Sequence, residues 1–503
     1  MENHKMKYIL KIQQNWFPRI LVLFVFLFMS QLFAGATADK LDEYFKKCYK
    51  NRQFNGNVLV AINGQVIYHK SFGISNIDPE RPLKLNSQFR LASLSKPITA
   101  MAVTILKERG LLKYDDELIK YIPELPYPGI TIRHLLTHTS GIPKYEDLTK
   151  KYWDLEHEKF TEKKYVTNDD IIALLVEHHP DVLFNNGDKY SYSNTGYVLL
   201  ASVVSRVSGE PFEKFLKDNI FKPSGMDHSL VYSAVRNDKM ENRVYGYRLA
   251  MNGIDYISND FHYMSGLAGD GAVYSTTADL FKWDRVLYTE KLVSKSSLDE
   301  AFSPAVLNDG SSTKYGLGWG IGKSYSGKKT VNHGGGWIAS RTFLLREIEE
   351  DNTVVILTNH SSRHIYNIRK AVSQIIHNQP FEVSKIGISN IIGKEVVNKG
   401  IDEAISSYKH LKKTELEKYN FDKWELNSLG YDLIEIDMLP EAIKIFQLNL
   451  QHFPDFARGY NNLADSYILA GNKKLAIENY NKTLDIDPDN WYAAKKLKLI
   501  LNN

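Results

Sequence analysis

The stretch Phe89-Arg-Leu-Ala-Ser-Leu-Ser-Lys-Pro-Ile-Thr99 decides how this sequence is interpreted. Apolar residues recur at helical spacing from it to Leu106, and Gly110 provides a stop, so we predict a helix from about Ser93 to Glu108. Ser93 and Lys96 share one face of that helix, which brings the amine beside the hydroxyl. A lysine that is desolvated there can lose its proton and serve as a base.

Two other short elements carry groups that could assist a serine hydroxyl and a basic lysine in proton transfer. Tyr192-Ser193-Asn194 supplies a second proton carrier and an amide, and His333-Gly334-Gly335 supplies an imidazole beside glycines that suit close approach of the backbone to a substrate. Each element is weak alone, because serine–lysine pairs with the same spacing recur at 311/314, 326/329 and 406/409, and tyrosine–asparagine pairs at 49/51 and 460/462. The sequence on either side of each of the three elements distinguishes them from these chance recurrences.

The surroundings resemble the serine β-lactamase and penicillin-binding protein superfamily, beginning with the nucleophile segment 89–99. They are most similar to the branch that contains class C β-lactamases, D-alanyl-D-alanine carboxypeptidases, D-aminopeptidases and related esterases. The resemblance covers roughly residues 50–360 in family order. It continues through Thr131-Ile-Arg-His-Leu-Leu-Thr-His-Thr-Ser-Gly-Ile-Pro143, Tyr192-Ser-Asn-Thr-Gly-Tyr197, Pro223-Ser-Gly-Met226, Gly269-Asp-Gly271, Tyr315-Gly-Leu-Gly-Trp319 and His333-Gly-Gly-Gly336.

The resemblance implies a role for each site residue. Ser93 would attack a carbonyl, with Lys96 and Tyr192 sharing the removal of its proton. The backbone N–H groups of Ser93 and Gly336 would form the oxyanion hole. The implied substrate-binding residues are Asn194, His333, Gly334 and Gly335. Asp270, between two glycines, is predicted mainly to form a turn.

Three positions depart from the family pattern, and the third motif matters most. Many relatives carry lysine where this chain has His333, and a histidine near pH 7 is mostly neutral, so recognition of a substrate carboxylate there is weakened. Asn186 and Ala339 replace a common proline and a common glycine, which affects local loop shape. We expect a serine hydrolase that acts through an acyl-serine intermediate on D-amino-acid peptides or on small esters and amides. The alternatives are a true β-lactamase, or a non-catalytic binding or scaffold protein.

The fold class expected is α/β: a β-lactamase/transpeptidase-like mixed domain, with an antiparallel sheet flanked by helices and a helical subdomain. A hairpin at Asn63-Gly64 and strands at 316–321, 342–345 and 353–357 indicate one sheet built from both ends of the domain. Helices are predicted at 168–177 and 195–208 in between. This domain is assigned to residues 39–380, with a linker at 381–394.

Residues 395–503 form an all-α array of tetratricopeptide-like repeats in our prediction. A 34-residue period relates Leu429 to Leu463, Ala442 to Ala476, Phe446 to Tyr480 and Pro454 to Pro488. Segment 403–408 resembles the second helix of an earlier repeat, and 491–501 a capping helix. Such arrays bind peptides or neighbouring domains on a concave face, so the sequence leaves two alternatives: a protein or peptide partner that binds the array, or two repeats that only pack on the body of the protein.

Residues 1–38 are predicted to be a signal peptide: basic residues precede a short apolar run from Ile20 to Met29 and then small residues up to Ala38. The protein is therefore expected to be exported to the periplasm or the exterior, or anchored in the membrane if the leader is not cleaved. This leader carries +3 of the net charge of +4, so nothing indicates a nucleic-acid partner.

Composition excludes several kinds of site. With 43% hydrophobic and 24% charged residues, the chain is an ordinary globular protein. A single cysteine, Cys48, excludes an intrachain disulfide and a cysteine-ligated metal centre. His134 and His138 lack the intervening glutamate of a zinc protease motif, so we expect no metal. Hydrolysis through an acyl-serine is also expected to need no organic cofactor. Small peptides, esters or β-lactams are the expected ligands.

Overall fold

The structure is a computed structural model that describes residues 34–153, 165–236, 239–250, 256–260, 262–361 and 364–501. These residues form two compact units. The first contains the described residues up to Tyr247 together with Ser258–Val383, and the second contains those of Arg248–Ile257 together with Ser384 onward. Residues 1–33 of the predicted signal peptide lie outside the described residues. Among the described helices, none has the length and hydropathy needed to cross a lipid bilayer.

The strands, numbered in chain order, are β1 Gly56–Ile62, β2 Gln65–Phe72, β3 Ile74–Ile77, β4 Glu80–Pro82, β5 Phe89–Arg90, β6 Leu230–Val231, β7 Tyr247–Leu249, β8 Tyr256–Ser258, β9 Val273–Ser275, β10 Gly320–Lys323, β11 Lys329–Trp337, β12 Ser340–Glu347, β13 Asn352–Thr358, β14 Ile386–Gly387 and β15 Tyr419–Asn420. Six of them make the main antiparallel sheet in the order β10-β11-β12-β13-β1-β2. The first hairpin therefore pairs with the last strands, which confirms the predicted sheet built from both ends.

The helices of the first unit are α1 (residues 34–50), α2 Lys96–Glu108, α3 Ile132–Leu136, α4 Tyr145–Tyr152, α5 Asn168–His178, α6 Asn194–Ser208, α7 Phe212–Leu216, α8 Lys222–Ser224, α9 Thr277–Val286, α10 Lys295–Ala301 and α11 Ile365–Ile376. Helices cover both faces of the main sheet because its strands alternate two sets of apolar side chains. In β1, Val58 and Val60 pack with α1 and α11, while Leu59 and Ala61 pack in the core that contains α2 and α6. The predicted α/β class is confirmed.

Two sequence expectations are corrected in detail. The helix predicted from Ser93 begins as a 3-10 turn, Ala92–Ser95, and becomes α-helical only at Lys96, where a proline occupies the first turn. The strand predicted at 316–321 begins later, at Gly320, because Gly318 has a φ of 82° and closes a turn in which the Gly316 N–H donates to the Trp319 carbonyl.

The second unit contains α12 Ile388–Lys399, α13 Ile401–Thr414, α14 Lys423–Glu435, α15 Leu439–His452, α16 Ala457–Leu469, α17 Lys473–Ile486 and α18 Trp491–Leu501. Ala442 and Ala476 are fully buried in its core, as expected for the small residues of paired helices. The predicted linker 381–394 is too long at its C-terminal end: α12 begins inside it, and Ile388 and Ile392 are fully buried. An apolar segment that packs into a core is part of a domain.

Candidate active site

The Ser93 hydroxyl stands on the 3-10 turn between β5 and α2, and backbone contacts fix that turn. Leu91 donates its N–H to the Val273 carbonyl at 2.8 Å, and its own carbonyl accepts from the Thr342 hydroxyl at 2.6 Å. Ala92 adopts a φ of 50°, which is unusual for a residue with a side chain and turns the chain sharply before the serine. Ser93 is left half-buried at the end of this turn.

Lys96 is fully buried, and its amine lies among three oxygen atoms. Nζ is 3.0 Å from Ser93 Oγ, 2.7 Å from Asn194 Oδ1 and 3.0 Å from the carbonyl oxygen of Asp270. The amide and carbonyl oxygens can only accept, whereas the serine hydroxyl can also donate. A neutral amine has two N–H groups and one lone pair, so it can donate to the two acceptors and receive the proton of Ser93.

Asn194 opens helix α6 and links this amine to a carboxylate. Its Nδ2 donates to Glu146 Oε1 at 2.6 Å while its Oδ1 accepts from Lys96. Burial raises the pKa of Glu146, while the hydrogen bond from Asn194 lowers it. Asp270, in addition to the carbonyl that holds Lys96, uses its carboxylate to accept from the Tyr145 hydroxyl at 2.8 Å. It therefore shapes the site directly besides forming a turn.

Tyr192 reaches the same amine with its ring. The ring centroid is 4.9 Å from Lys96 Nζ and 4.2 Å from the ring centroid of the buried His138. The Tyr192 hydroxyl forms no hydrogen bond with another described residue. The structure thus brings Tyr192 to Lys96, but it shows no direct bond through which the two would share the proton of Ser93.

His333 is held as a neutral imidazole. Its Nδ1 lies 2.7 Å from the Gly334 carbonyl, which can only accept, so Nδ1 carries the proton and Nε2 accepts from the Tyr315 hydroxyl at 2.8 Å. Burial, reinforced by Lys96, lowers the pKa of His333 to about 3. The charge expected of a lysine at this position is therefore absent at neutral pH. The ring centroids of His333 and Tyr192 are 6.4 Å apart.

The glycines of the third motif have different surroundings. A Cβ on Gly335 would lie 2.1 Å from the Leu91 carbonyl oxygen and 2.2 Å from Thr342 Oγ1, whereas one on Gly336 would have its nearest neighbour at 3.9 Å. Gly335 is thus required for β11 to approach the turn that carries Ser93, so the close approach at this glycine is to the Leu91 backbone. On Gly334 a Cβ would meet only the end of the Arg369 side chain and a carbonyl, at 3.4 Å or more.

A cleft of about 330 Å³ opens beside Ser93. Its lining consists of Arg90, Ala92, Ser93, Tyr145, Asn194, Met264, Leu267, Asp270, Gly271, Gly336 and Trp337. Of the residues predicted from sequence, Ser93, Asn194 and Gly336 meet there. The other predicted site residues are not part of that lining: Lys96, Tyr192, His333, Gly334 and Gly335.

Arg90 is the cleft residue that sequence reasoning missed, although it lies in the stretch quoted at the outset. It is buried, its Nη1 donates to the Ser265 hydroxyl at 3.2 Å, and its guanidinium carbon lies 5.0 Å from the centroid of the Trp337 ring. Within the described parts of the chain, no carboxylate forms an ion pair with it, and its Nε is buried without a hydrogen bond. Glu146 was missed as well, because no sequence spacing connects it to Asn194.

The histidines considered for metal binding have other partners. Nδ1 of His134 accepts the Thr131 N–H, and Nδ1 of His138 accepts the Ser193 N–H, each at 3.2 Å. His377, Glu347 and Glu350 lie close together away from the cleft, where His377 Nε2 is 2.9 Å from both carboxylate oxygens of Glu347. That contact is a hydrogen bond between the His377 imidazole and the Glu347 carboxylate.

Comparison with known proteins shows which family this chain resembles. The family model described as beta-lactamase matches residues 41–373, and a tetratricopeptide repeat model matches residues 457–490. Penicillin-binding protein 4* of Bacillus subtilis strain 168 is 38% identical over 353 residues, which is 68% of this chain and 77% of that protein.

Two solved structures share the fold at somewhat lower identity. The penicillin-binding protein of Bacillus halodurans has a TM-score of 0.56 at 25% identity, over 67% of this chain and 97% of that one. The octameric penicillin-binding protein homologue of Pyrococcus abyssi has a TM-score of 0.59 at 26% identity, over 70% and 81%. The matched segment contains Ser93, Lys96, Tyr192 and His333, and the chain therefore belongs to the beta-lactamase family, with a tetratricopeptide repeat near its C terminus.

Proposed function

We propose that this protein is an exported serine hydrolase that acts through an acyl-Ser93 intermediate on peptides with D-residues or on small esters and amides. The observation that carries the proposal is the placement of the Lys96 amine, 3.0 Å from Ser93 Oγ and otherwise surrounded by acceptors. A buried amine in that position is a base for the hydroxyl, and the family membership supports hydrolytic use of the pair.

The reaction begins when Ser93 Oγ attacks the substrate carbonyl and its proton passes to Lys96 Nζ. The backbone N–H groups of Ser93 and Gly336 stabilise the oxyanion, and such donors contribute several kcal/mol to a transition state. Lys96 then returns the proton to the leaving group. In the second half, water attacks the acyl carbonyl, and Tyr192, whose ring lies against Lys96, assists in removing a proton from that water. The bond between the acyl group and Ser93 Oγ then breaks, the acid leaves, and the proton returns to Ser93 Oγ.

The position of Arg90 in the cleft lining supports a substrate that carries a carboxylate. No carboxylate of the described residues forms an ion pair with Arg90, and a buried guanidinium in that situation is costly unless a ligand supplies the opposite charge. Because His333 is neutral, Arg90 is the arginine of the cleft lining that could pair with a C-terminal carboxylate, as in a peptide that ends in a D-residue. The penicillin-binding relatives are consistent with such ligands.

Export and a partner for the repeats belong to the same proposal. The basic and apolar leader supports export to the periplasm or the exterior. The helical pairs of the second unit support a protein or peptide partner, because stacked repeats of this kind present an extended concave surface.

The test is the intact mass of the 39–503 protein over time after benzylpenicillin is added, with Ser93→Ala alongside. A mass increase that requires Ser93 supports the acyl-enzyme. Its persistence indicates a peptidase-like reaction, and its rapid decay with consumption of penicillin indicates a true β-lactamase. No adduct from protein that cleaves a nitrophenyl ester moves the assignment to an esterase or D-aminopeptidase. Identical behaviour of wild type and Ser93→Ala in every hydrolytic assay would leave a binding or scaffold protein.

A further inference from the structure

Glu146 is a largely buried carboxylate next to the proposed catalytic residues, and the mechanism above does not use it. It occupies the second position of α4, and its Oε1 accepts from Asn194 Nδ2 at 2.6 Å. Its Oε2 is buried and has no hydrogen-bond partner within the parts of the chain that the structure describes. A buried carboxylate oxygen without a hydrogen-bond partner lowers the stability of the folded state. That cost indicates a function that this carboxylate serves.

The carboxylate determines which way the Asn194 amide faces. A carboxylate can only accept hydrogen bonds, so the NH₂ group of Asn194 must point toward Glu146. The amide is planar, and its oxygen then points away from Glu146 and toward Lys96 Nζ, 2.7 Å away. Without an acceptor at residue 146, the amide can turn over and place its NH₂ group against the amine of Lys96. Two donors would then face each other, and the lone pair of Lys96 would no longer be reserved for Ser93.

We propose that Glu146 is a positioning residue for the acyl transfer: through Asn194 it holds the Lys96 amine with its lone pair on Ser93 Oγ. This inference rests on the proposed function, since it assigns a role within that reaction. The negative charge also favours the ammonium form that Lys96 adopts after it takes the proton, although the nearby Asp270 carboxylate opposes a charge on Glu146.

The experiment follows phosphonylation of Ser93 by a fluorophosphonate, a reagent that reports on the nucleophile without the natural substrate. Glu146→Ala removes the acceptor, and we expect it to slow labelling by about 10- to 100-fold, the range for losing a hydrogen bond to a charged group. Glu146→Gln retains an acceptor and should recover part of the rate. Asp147→Ala, an exposed acidic neighbour on α4, is the matched control and should label at the wild-type rate.

A double mutant distinguishes a positioning role from a structural one. If Glu146 acts through Asn194, the Glu146→Ala change should have little further effect in an Asn194→Ala protein. When the pH is lowered and the Glu146 carboxylate becomes protonated, the labelling rate of the wild type should also fall. The Glu146→Gln protein should lack that decline. The groups that face Glu146, namely the side chains of Lys96 and Asp270 and the hydroxyl of Tyr145, are the same in these two proteins.

The outcomes separate the two claims. Additive losses in the double mutant, or a Glu146→Ala protein that labels within twofold of wild type, would overturn the role of Glu146 alone. A folded wild type that no fluorophosphonate labels at Ser93 would overturn the proposed function and this inference together. If Glu146→Ala does not fold, the pH profiles of Glu146→Gln and wild type decide: identical profiles overturn the inference, and different profiles support it.

Discussion

Replacing Gly335 with alanine should impair the nucleophile although the side chain is added outside the cleft lining. The new Cβ would lie 2.1 Å from the Leu91 carbonyl oxygen, and real Cβ contacts stay beyond 3.0 Å, so residue 335 and the Leu91 backbone, two residues before Ser93, must move apart by at least about 0.9 Å. Overpacking of this kind costs about 1–3 kcal/mol of stability. A displacement of about 1 Å at a catalytic group typically costs about 100-fold in rate.

The assay is fluorophosphonate labelling of Ser93, with thermal unfolding measured on the same preparations. Gly335→Ala should label about 100-fold more slowly and unfold at a lower temperature. Gly334→Ala is the matched change one residue away, where the added methyl meets nothing closer than 3.4 Å, and it should label within about threefold of wild type. If Gly335→Ala labels and unfolds like wild type, the argument that Gly335 positions the nucleophile turn is refuted.

Three further predictions concern the base, the third motif and the repeats. Lys96→Arg should abolish acylation, because arginine keeps the charge but cannot act as a neutral base; intact mass after incubation with benzylpenicillin checks this, and a wild-type adduct rate would contradict it. The pKa values of His333 and His360 are lowered by burial to about 3 and about 4 from 6.5, so the native state should lose stability as pH falls below about 6.5 toward 4, by at most about 1.4 kcal/mol per pH unit for each histidine. Urea unfolding between pH 7.5 and 4.5 should show a smaller decline in His333→Gln, and an equal decline would exclude His333 as a contributor. Removal of residues 384–503 should leave nitrophenyl ester turnover intact if the repeats serve only a partner; lost turnover in a truncated protein that remains folded would tie them to the site.

Local sequence rules predicted the elements that depend on neighbouring residues. The Asn63-Gly64 turn lies between β1 and β2, and the helices predicted at 168–177 and 195–208 appear as α5 and α6. The 34-residue period is realised in the paired helices α14–α15 and α16–α17, each second helix ending two residues before its proline. Periodicity and turn chemistry act over a few residues, so one sequence suffices to detect them.

Contacts between distant residues were beyond such rules. Two of the three partners of the Lys96 amine come from residues 98 and 174 positions away, and Glu146 contacts the amine only through Asn194. The neutral state of His333 follows from burial and from a bond to Tyr315, neither of which the motif contains. Arg90 was visible in the sequence, but its burial in the cleft without an ion pair to any carboxylate of the described residues was not.

By itself the sequence determined the family resemblance, the α/β class, the repeats and the identity of Ser93, Lys96 and Tyr192 as candidates, because these depend on residue types and local spacing. The tertiary structure alone decided how the candidates are arranged: which oxygens surround the amine, that Gly335 packs against the nucleophile turn, and that Arg90 faces the cleft. Burial, hydrogen-bond direction and pKa all depend on atoms that meet only when distant segments fold together.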